Sequence, residues 1–462
     1  MLEEFLPDKY SSEYEILYVT GISNLSLLAY NTFPYSNLFF DFVFWILPQY
    51  FVIMYPGRKQ EIFIFLFNLI NFNELKFGNI FGFDMPRTFH RGNINQQEAL
   101  LKKSSNNKLL RRFNHSVIGI LRSYISLQVA VCILAVDFTE MYPLKFTKSV
   151  SYGYKLMDMG VGSYLYNGGI MASKSKYKGI INLIILGIVR LSVIRYFNLE
   201  VDIREYGKHS NFYFILSGVY LIYKLCTGIF NKKVKYLPYP KRCIKNPSNS
   251  DNSSFYTVKN SVSYINNIVY RYIGHIILFV YYGITKYLNL DKLILSNDRS
   301  NFILENKESF FVIIPFVSLL VIMQDLSKIL FYSGKNDKIE YVIKYKIISL
   351  MKYTGIFYIL YKVFEACEIP SRRLGNPTFI FFVLYLHTLH LLIYVFVCLV
   401  SKLRFYKAVE FSSRNMMTNF LITNLLVLLA KRSISLSKDR CHIVMLTYLV
   451  ISFIIPPLLY CK

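Results

Sequence analysis

The sequence predicts an all-α, polytopic membrane protein, and three observations carry that prediction. Apolar residues fall in blocks of about twenty, the length a helix needs to cross a hydrocarbon core. Mean hydropathy is positive, +0.34, in a chain of 462 residues that is 54% hydrophobic and 17% aromatic. Lysines and arginines sit mostly between the blocks, the placement that orients membrane helices. A soluble chain of this length would spread its apolar residues in amphipathic periods instead.

The first block, Ile16 to Tyr30, is short and interrupted by Thr20-Gly21. Blocks follow over Leu38–Tyr55 and Ile62–Phe72, and then a basic loop runs from Arg87 to His115. Val117 to Phe138 carries Arg122 and ends on Asp137, and the next block opens at Leu156. Further blocks cover Ile180–Phe197, Phe212–Phe230, Tyr272–Leu288, Phe310–Leu330, Tyr341–Phe364, Phe379–Val400, Asn415–Ala430 and Ile443–Tyr460. The expectation is therefore about 13 transmembrane helices in a single domain, 1–462. Low complexity marks 231–262 as a disordered, basic, cytosolic loop.

The net charge of +25 would suit nucleic acid, but its placement between spans gives it an orienting role, and no nucleic-acid partner is expected. If the Arg87–His115 loop is cytosolic, so are the loops holding Lys174 and Lys176, Lys335 and Lys338, and Lys402 and Arg404, together with 231–262. All are basic. The N-terminus then lies in the lumen and the C-terminus in the cytosol, with the Lys431–Arg440 loop the weak point because it runs against the charge bias. The sequons at Asn24, Asn114 and Asn252 fall in a span or in cytosolic loops, so none should be glycosylated. The acidic opening, MLEEFLPDKYSSEYE, does not resemble a cleavable signal peptide. The seven cysteines show no CxxC spacing, so neither a disulfide framework nor a zinc site is expected.

On the luminal side fall the loop from Asp137 to Lys155, the segment 201–214 and PSRRLGNP at 370–377. The stretch Ile133–Ser173 is the richest in chemistry. It leaves an apolar run on Asp137, carries Lys145 and Lys148, and re-enters apolar sequence at Asp158, followed by Gly160, Gly162 and Ser163. Ionisable groups at the lip of a span pair, meet water or do chemistry. Asp137 and Lys148 are either an ion pair closing a loop or an acid–base arrangement, and spacing does not choose. Arg372 and Arg373 break the charge bias, as a solvated pair or as a receptor for an anion. His209 begins a span, beside Glu205. His387 and His390 share a helical face but have no neighbouring Asp, Glu or Cys to complete a metal site.

These motifs resemble those of the glycosylphosphatidylinositol (GPI) inositol acyltransferases, which include the fungal GPI-anchored wall transfer protein and the animal phosphatidylinositol-glycan biosynthesis class W protein. The resemblance rests on ILAVDF (133–138), Pro143, Phe146-Thr147-Lys148, Tyr152-Gly153 and LMDMGVGSY (156–164). It continues through EYGKHSNFY (205–213), SRRLGN (371–376) and FLITNLL (420–426). The segment between Asp137 and Lys148 departs from the family pattern by about one residue, which leaves Lys145 as the alternative to Lys148.

The resemblance implies transfer of a fatty acyl group, usually palmitoyl, from acyl-CoA to the inositol of glucosaminyl-phosphatidylinositol in the endoplasmic reticulum membrane. Acyl-CoA is then a co-substrate, and no further cofactor or metal is implied. Asp137 and Lys148 take the catalytic positions. Asp158, Glu205, His209 and Asn211 take motif positions on the substrate side, together with Asn376 of SRRLGN and Asn424 of FLITNLL. Gly160, Gly162 and Ser163 are expected to shape an acyl channel, and Arg372 and Arg373 to meet a phosphate. A lipid or solute transporter, or a scaffold subunit of the GPI-synthesis machinery, would also account for many spans with buried charge.

Overall fold

A computed structural model describes residues 11–33, 35, 37–75, 96–138, 142–172, 177–198, 202–231, 272–332, 339–401, 407–430 and 438–460. Nearly all of the segment 231–262, and most of the basic loop residues used for topology, lie outside them. Every regular element among the described residues is helical. The helices of eight or more residues are α1 (Glu13–Thr32), α2 (Leu38–Met54), α3 (Lys59–Asn68), α4 (Gln96–Ala135), α5 (Leu156–Ala172), α6 (Tyr177–Tyr196), α7 (Phe212–Asn231) and α8 (272–287). They continue with α9 (Lys307–Phe331), α10 (Ile339–Glu365), α11 (Pro377–Val400), α12 (Lys407–Arg414), α13 (Met416–Ala430) and α14 (Lys438–Phe453).

Each of the apolar blocks read from the sequence holds a helix, but among the described residues six helices are individually long and apolar enough to cross a bilayer. These are Phe113–Ala135, Gly179–Tyr196, Lys307–Phe331, Tyr341–Glu365, Pro377–Val400 and Arg440–Leu459. A seventh candidate is α2 with α3, bent by 114° at the Tyr55-Pro56-Gly57 break. At about 1.5 Å per residue, the 10-residue α3 is too short to cross alone. Lipid-compatible surface is plain on α6, where Ile181, Ile184, Ile185, Ile188 and Val189 all point outward. The chain is built as a multi-pass membrane protein.

The described residues fall into two compact units. The first comprises 1–164, 328–372 and 381–462. Its centre is the apolar part of α4, where Leu121, Ile125, Leu127 and Val131 are fully buried. Hydrocarbon gives apolar helices little reason to prefer one another, so small and polar side chains set the packing. Ser123 Oγ on α4 accepts a hydrogen bond from Trp45 Nε1 (3.0 Å) and another from Ser412 Oγ (2.8 Å). One turn further, Ser126 Oγ accepts from Asn419 Nδ2 at 3.0 Å. Asp41 is buried on α2, where the Ala408 N–H in the first turn of α12 donates to it at 2.8 Å. A carboxylate there meets the positive end of the α12 dipole.

The second unit comprises 165–327 and 373–380. Its α6 and α7 pack against each other. Gly187 makes that approach possible, because a Cβ there would lie 2.7 Å from the Phe214 ring. Gly375 has φ +60° and sits against Pro315 of α9, a conformation and a closeness that exclude larger residues.

Candidate active site

In the first unit, α4 ends at Ala135 and the chain turns tightly, with Asp137 N–H on Leu134 O (3.1 Å) and Phe138 N–H on Ala135 O (2.9 Å). Asp137 is half-buried at this helix end. The chain re-enters the described residues at Tyr142, whose hydroxyl donates to Phe146 O at 3.1 Å and whose phenol pKa is pushed up by burial. A single 3₁₀ turn, Leu144–Phe146, then leads to the half-buried Lys148.

The residue after Lys148 is anchored. Ser149 N–H donates to Asp158 Oδ2 at 2.9 Å, and Arg372 Nε donates to Asp158 Oδ1 at 2.7 Å. Both side chains are buried, with 1% and 5% exposure. Two more bonds lace the same loop to the segment before Arg372: Gly153 N–H to Pro370 O (2.9 Å) and Ser371 Oγ to Ser151 O (2.5 Å). Gly153 has φ +131°, which a side chain would resist. Lys145, the alternative ammonium, is held by Glu15 Oε1 of α1 at 2.5 Å.

Below Asp137, a pocket of about 40 Å³ opens between α4 and α5, lined by Gln128, Val129, Cys132, Ile133, Leu156, Met157 and Gly160. Ile133 lies one turn before Asp137 on the same helix. Gly160 keeps the groove open, since a Cβ there would come within 3.3 Å of Val129. Gly162 is a packing glycine on α5, where a Cβ would lie 2.5 Å from Val383 of α11. Ser163 Oγ sits 2.7 Å from both Met159 O and His387 Nε2. His390 uses Nδ1 on Asn24 at 3.2 Å. The two histidines of the LHTLH sequence therefore spend ring nitrogens on different helices. Asn424 turns its amide back on Phe420 O of its own helix at 2.7 Å.

The remaining sequence-derived residues lie in the second unit. His209 Nε2 meets Glu305 Oε2 at 3.1 Å, and its backbone N–H donates to Asn306 Oδ1 at 2.8 Å. Its partner carboxylate is thus Glu305 and not the nearby Glu205, which lies half-buried in the short helix Ile203–Tyr206. A hydrogen bond from Lys208 holds the Glu305 carboxyl below the usual carboxylate range. Asn211 is buried; its Oδ1 accepts from Tyr213 N–H (3.0 Å) and Phe214 N–H (3.2 Å), and its Nδ2 donates to Gly187 O (3.0 Å). It caps α7 and ties it to α6. Asn376 Oδ1 caps α11 at Phe379 N–H, 3.1 Å. Arg373 Nη2 donates to the buried Glu308 (2.9 Å), which also receives Arg299.

Arg372 and Arg373 therefore each meet a buried carboxylate of this chain rather than lying solvated. Sequence reasoning missed Glu15, Glu305 and Glu308, each of which meets a cation more than sixty residues away along the chain, although Glu308 also pairs with the nearby Arg299. Asp137 at the end of α4, the groove residue Gly160 and the Lys148 loop fastened to Asp158 all belong to the first unit, and a half-buried acid one turn beyond an apolar groove suits proton transfer.

A family model described as GWT1 matches residues 7–239 and 254–459. The chain is 25% identical over 452 residues to GPI-anchored wall transfer protein 1 of Schizosaccharomyces pombe, covering 90% of this chain and 85% of that relative. It is 25% identical over 329 residues to GPI-anchored wall transfer protein 1 of Kluyveromyces lactis, with 67% and 64% covered. A protein of Arabidopsis thaliana named as uncharacterized is 32% identical over 125 residues, 25% of this chain and 28% of that protein.

Proposed function

From the GWT1 family, to which this chain belongs, we propose that it works in GPI-anchor biosynthesis as an acyl-CoA-dependent inositol O-acyltransferase of the endoplasmic reticulum membrane. Its substrates are glucosaminyl-phosphatidylinositol and a fatty acyl-CoA, palmitoyl-CoA in the first instance. The observation that carries the reading is the position of Asp137, half-buried at the end of α4 one turn beyond the apolar α4–α5 pocket.

In this mechanism Asp137 accepts the proton of the inositol 2-hydroxyl as its oxygen attacks the thioester carbonyl. The Lys148 ammonium faces the oxyanion of the tetrahedral intermediate. Collapse forms the inositol ester and breaks the carbon–sulfur bond, and the departing thiolate takes the proton from Asp137. Gly160 and its neighbours receive the first methylenes of the acyl chain. Asp158 and Arg372 hold the loop and do not meet the reacting atoms.

The test is acyl transfer by the purified protein in liposomes, from labelled palmitoyl-CoA to a glucosaminyl-phosphatidylinositol analogue. Wild type should make acyl-inositol, and Asp137→Asn and Lys148→Ala should each lose it while eluting as folded protein. Full activity in Asp137→Asn would rule out this mechanism.

A further inference from the structure

We propose that Glu15, in the first turn of α1, is a positioning residue for Lys148, with Lys145 serving as its handle and not as the reacting ammonium. The inference rests on the acyl-transfer reading for the role of Lys148, but the clasp itself is a matter of geometry.

The short segment 145–149 is held at both ends by carboxylates from elsewhere in the first unit. At one end, Lys145 Nζ donates to Glu15 Oε1 at 2.5 Å, with the Glu15 side chain 13% exposed. At the other, Asp158 takes the Ser149 N–H. Between them Phe146 is fully buried and its carbonyl is occupied by the Tyr142 hydroxyl. Lys155 Nζ bridges Leu144 O (3.2 Å) and Thr147 Oγ1 (3.3 Å). The backbone carrying Lys148 is thus fixed on each side of it.

The α1 terminus is itself tied down. Ser11 Oγ donates to Tyr154 O, at the far end of the same loop. Glu13 is buried and receives the Tyr361 hydroxyl and Lys362 Nζ, the latter at 2.7 Å. Tyr154 in turn hydrogen-bonds Glu365. One helix terminus therefore grips the catalytic loop at Lys145 and at Tyr154 while being fastened to the end of α10. An isolated, exposed lysine–carboxylate pair would do little. This one is mostly shielded and sits inside a network, where loss of one partner moves the others. Lys145 commits its ammonium to Glu15, and that contact is what makes it the handle of the loop.

The experiment compares wild type, Glu15→Ala, Glu15→Gln and the charge swap Glu15→Lys with Lys145→Glu, using the liposome assay and limited trypsin digestion. Misplacing a catalytic group by about 1 Å costs on the order of 100-fold, so Glu15→Ala should lower kcat by about 10- to 100-fold. KM for palmitoyl-CoA should stay within about twofold, since no binding contact is removed. Cleavage of the Lys148–Ser149 bond should accelerate in Glu15→Ala and Glu15→Gln. The swap should restore both kcat and resistance to cleavage, which a general loss of folding would not allow. Wild-type kcat and wild-type protection in Glu15→Ala would overturn the proposal, as would a swap no better than Glu15→Ala. If wild type itself makes no acyl-inositol, the acyltransferase reading falls, and the cleavage comparison still decides whether Glu15 holds the loop.

Discussion

Asp158 and Arg372 stand 214 residues apart in the chain and meet at 2.7 Å, with both side chains buried. The Asp158 carboxylate spends its second oxygen on Ser149 N–H, so one ion pair joins the first turn of α5, the Lys148 loop and the segment before α11. An acid in the first turn also suits the α5 dipole.

Breaking that pair from either side should be severe. Arg372→Ala leaves a buried carboxylate without its cation, at a cost of about 3–5 kcal/mol. Arg372→Lys should recover little, because the contact is made through Nε of a planar guanidinium, which an ammonium cannot copy. Thermal melting followed by size exclusion in detergent checks both. A melting point for Arg372→Ala within a degree of wild type would show that the pair does not hold the loop.

How far the sequence reached is visible in this same pair. Asp137, Lys148, Asp158 and Gly160 were legible because they lie in one continuous stretch whose apolar-to-polar changes mark helix ends. Arg372 and Arg373 were legible only as charges on the unexpected side, since an ion pair across 214 residues leaves no periodic trace. The same blindness gave His209 its sequence neighbour Glu205, where the fold supplies Glu305 from 96 residues on. The helices were found by hydropathy, but hydropathy has no sense of direction. It read Ile62–Phe72 as a crossing, whereas the Pro56-Gly57 break turns α3 by 114° and leaves it short.

The two glycines of the LMDMGVG motif should differ. At Gly162 an added Cβ would lie 2.5 Å from Val383 Cγ2, whereas at Gly160 it would lie 3.3 Å from Val129. Gly162→Ala should therefore destabilise by about 1–3 kcal/mol through overpacking. Val383→Ala in the same molecule should recover most of it. Gly160→Ala should fold normally but narrow the α4–α5 groove, raising KM for palmitoyl-CoA more than for a shorter acyl-CoA. Equal melting points for the two single variants would contradict the packing difference.

The Lys208–Glu305–His209 contact gives acid sensitivity a definite sign. Lys208 donates to Glu305 Oε1 at 2.6 Å and holds its carboxyl below the usual range. The folded value lies below the unfolded one, so the stabilisation is present above the unfolded pKa of about 4.3 and is lost as pH falls through the folded value. The melting-point gap between wild type and Glu305→Gln should close as pH falls below the unfolded pKa of about 4.3 and through the folded value. A gap that widened in acid would reverse the assignment.

Orientation can be read with glycosylation. The charge bias puts the N-terminus in the lumen and the C-terminus in the cytosol, which an odd number of crossings requires. An acceptor cassette fused before Met1 should be glycosylated in microsomes, and one fused after Lys462 should not. The native sequon at Asn114 is a poor reporter on either side, because its side chain is buried and takes Lys346 Nζ at 2.6 Å. Asn252 is the informative native site, and endoglycosidase treatment should leave the mobility of the unfused protein unchanged. Modification at both termini would require an even number of crossings, and glycosylation of Asn252 would place the basic 231–262 segment in the lumen against its charge.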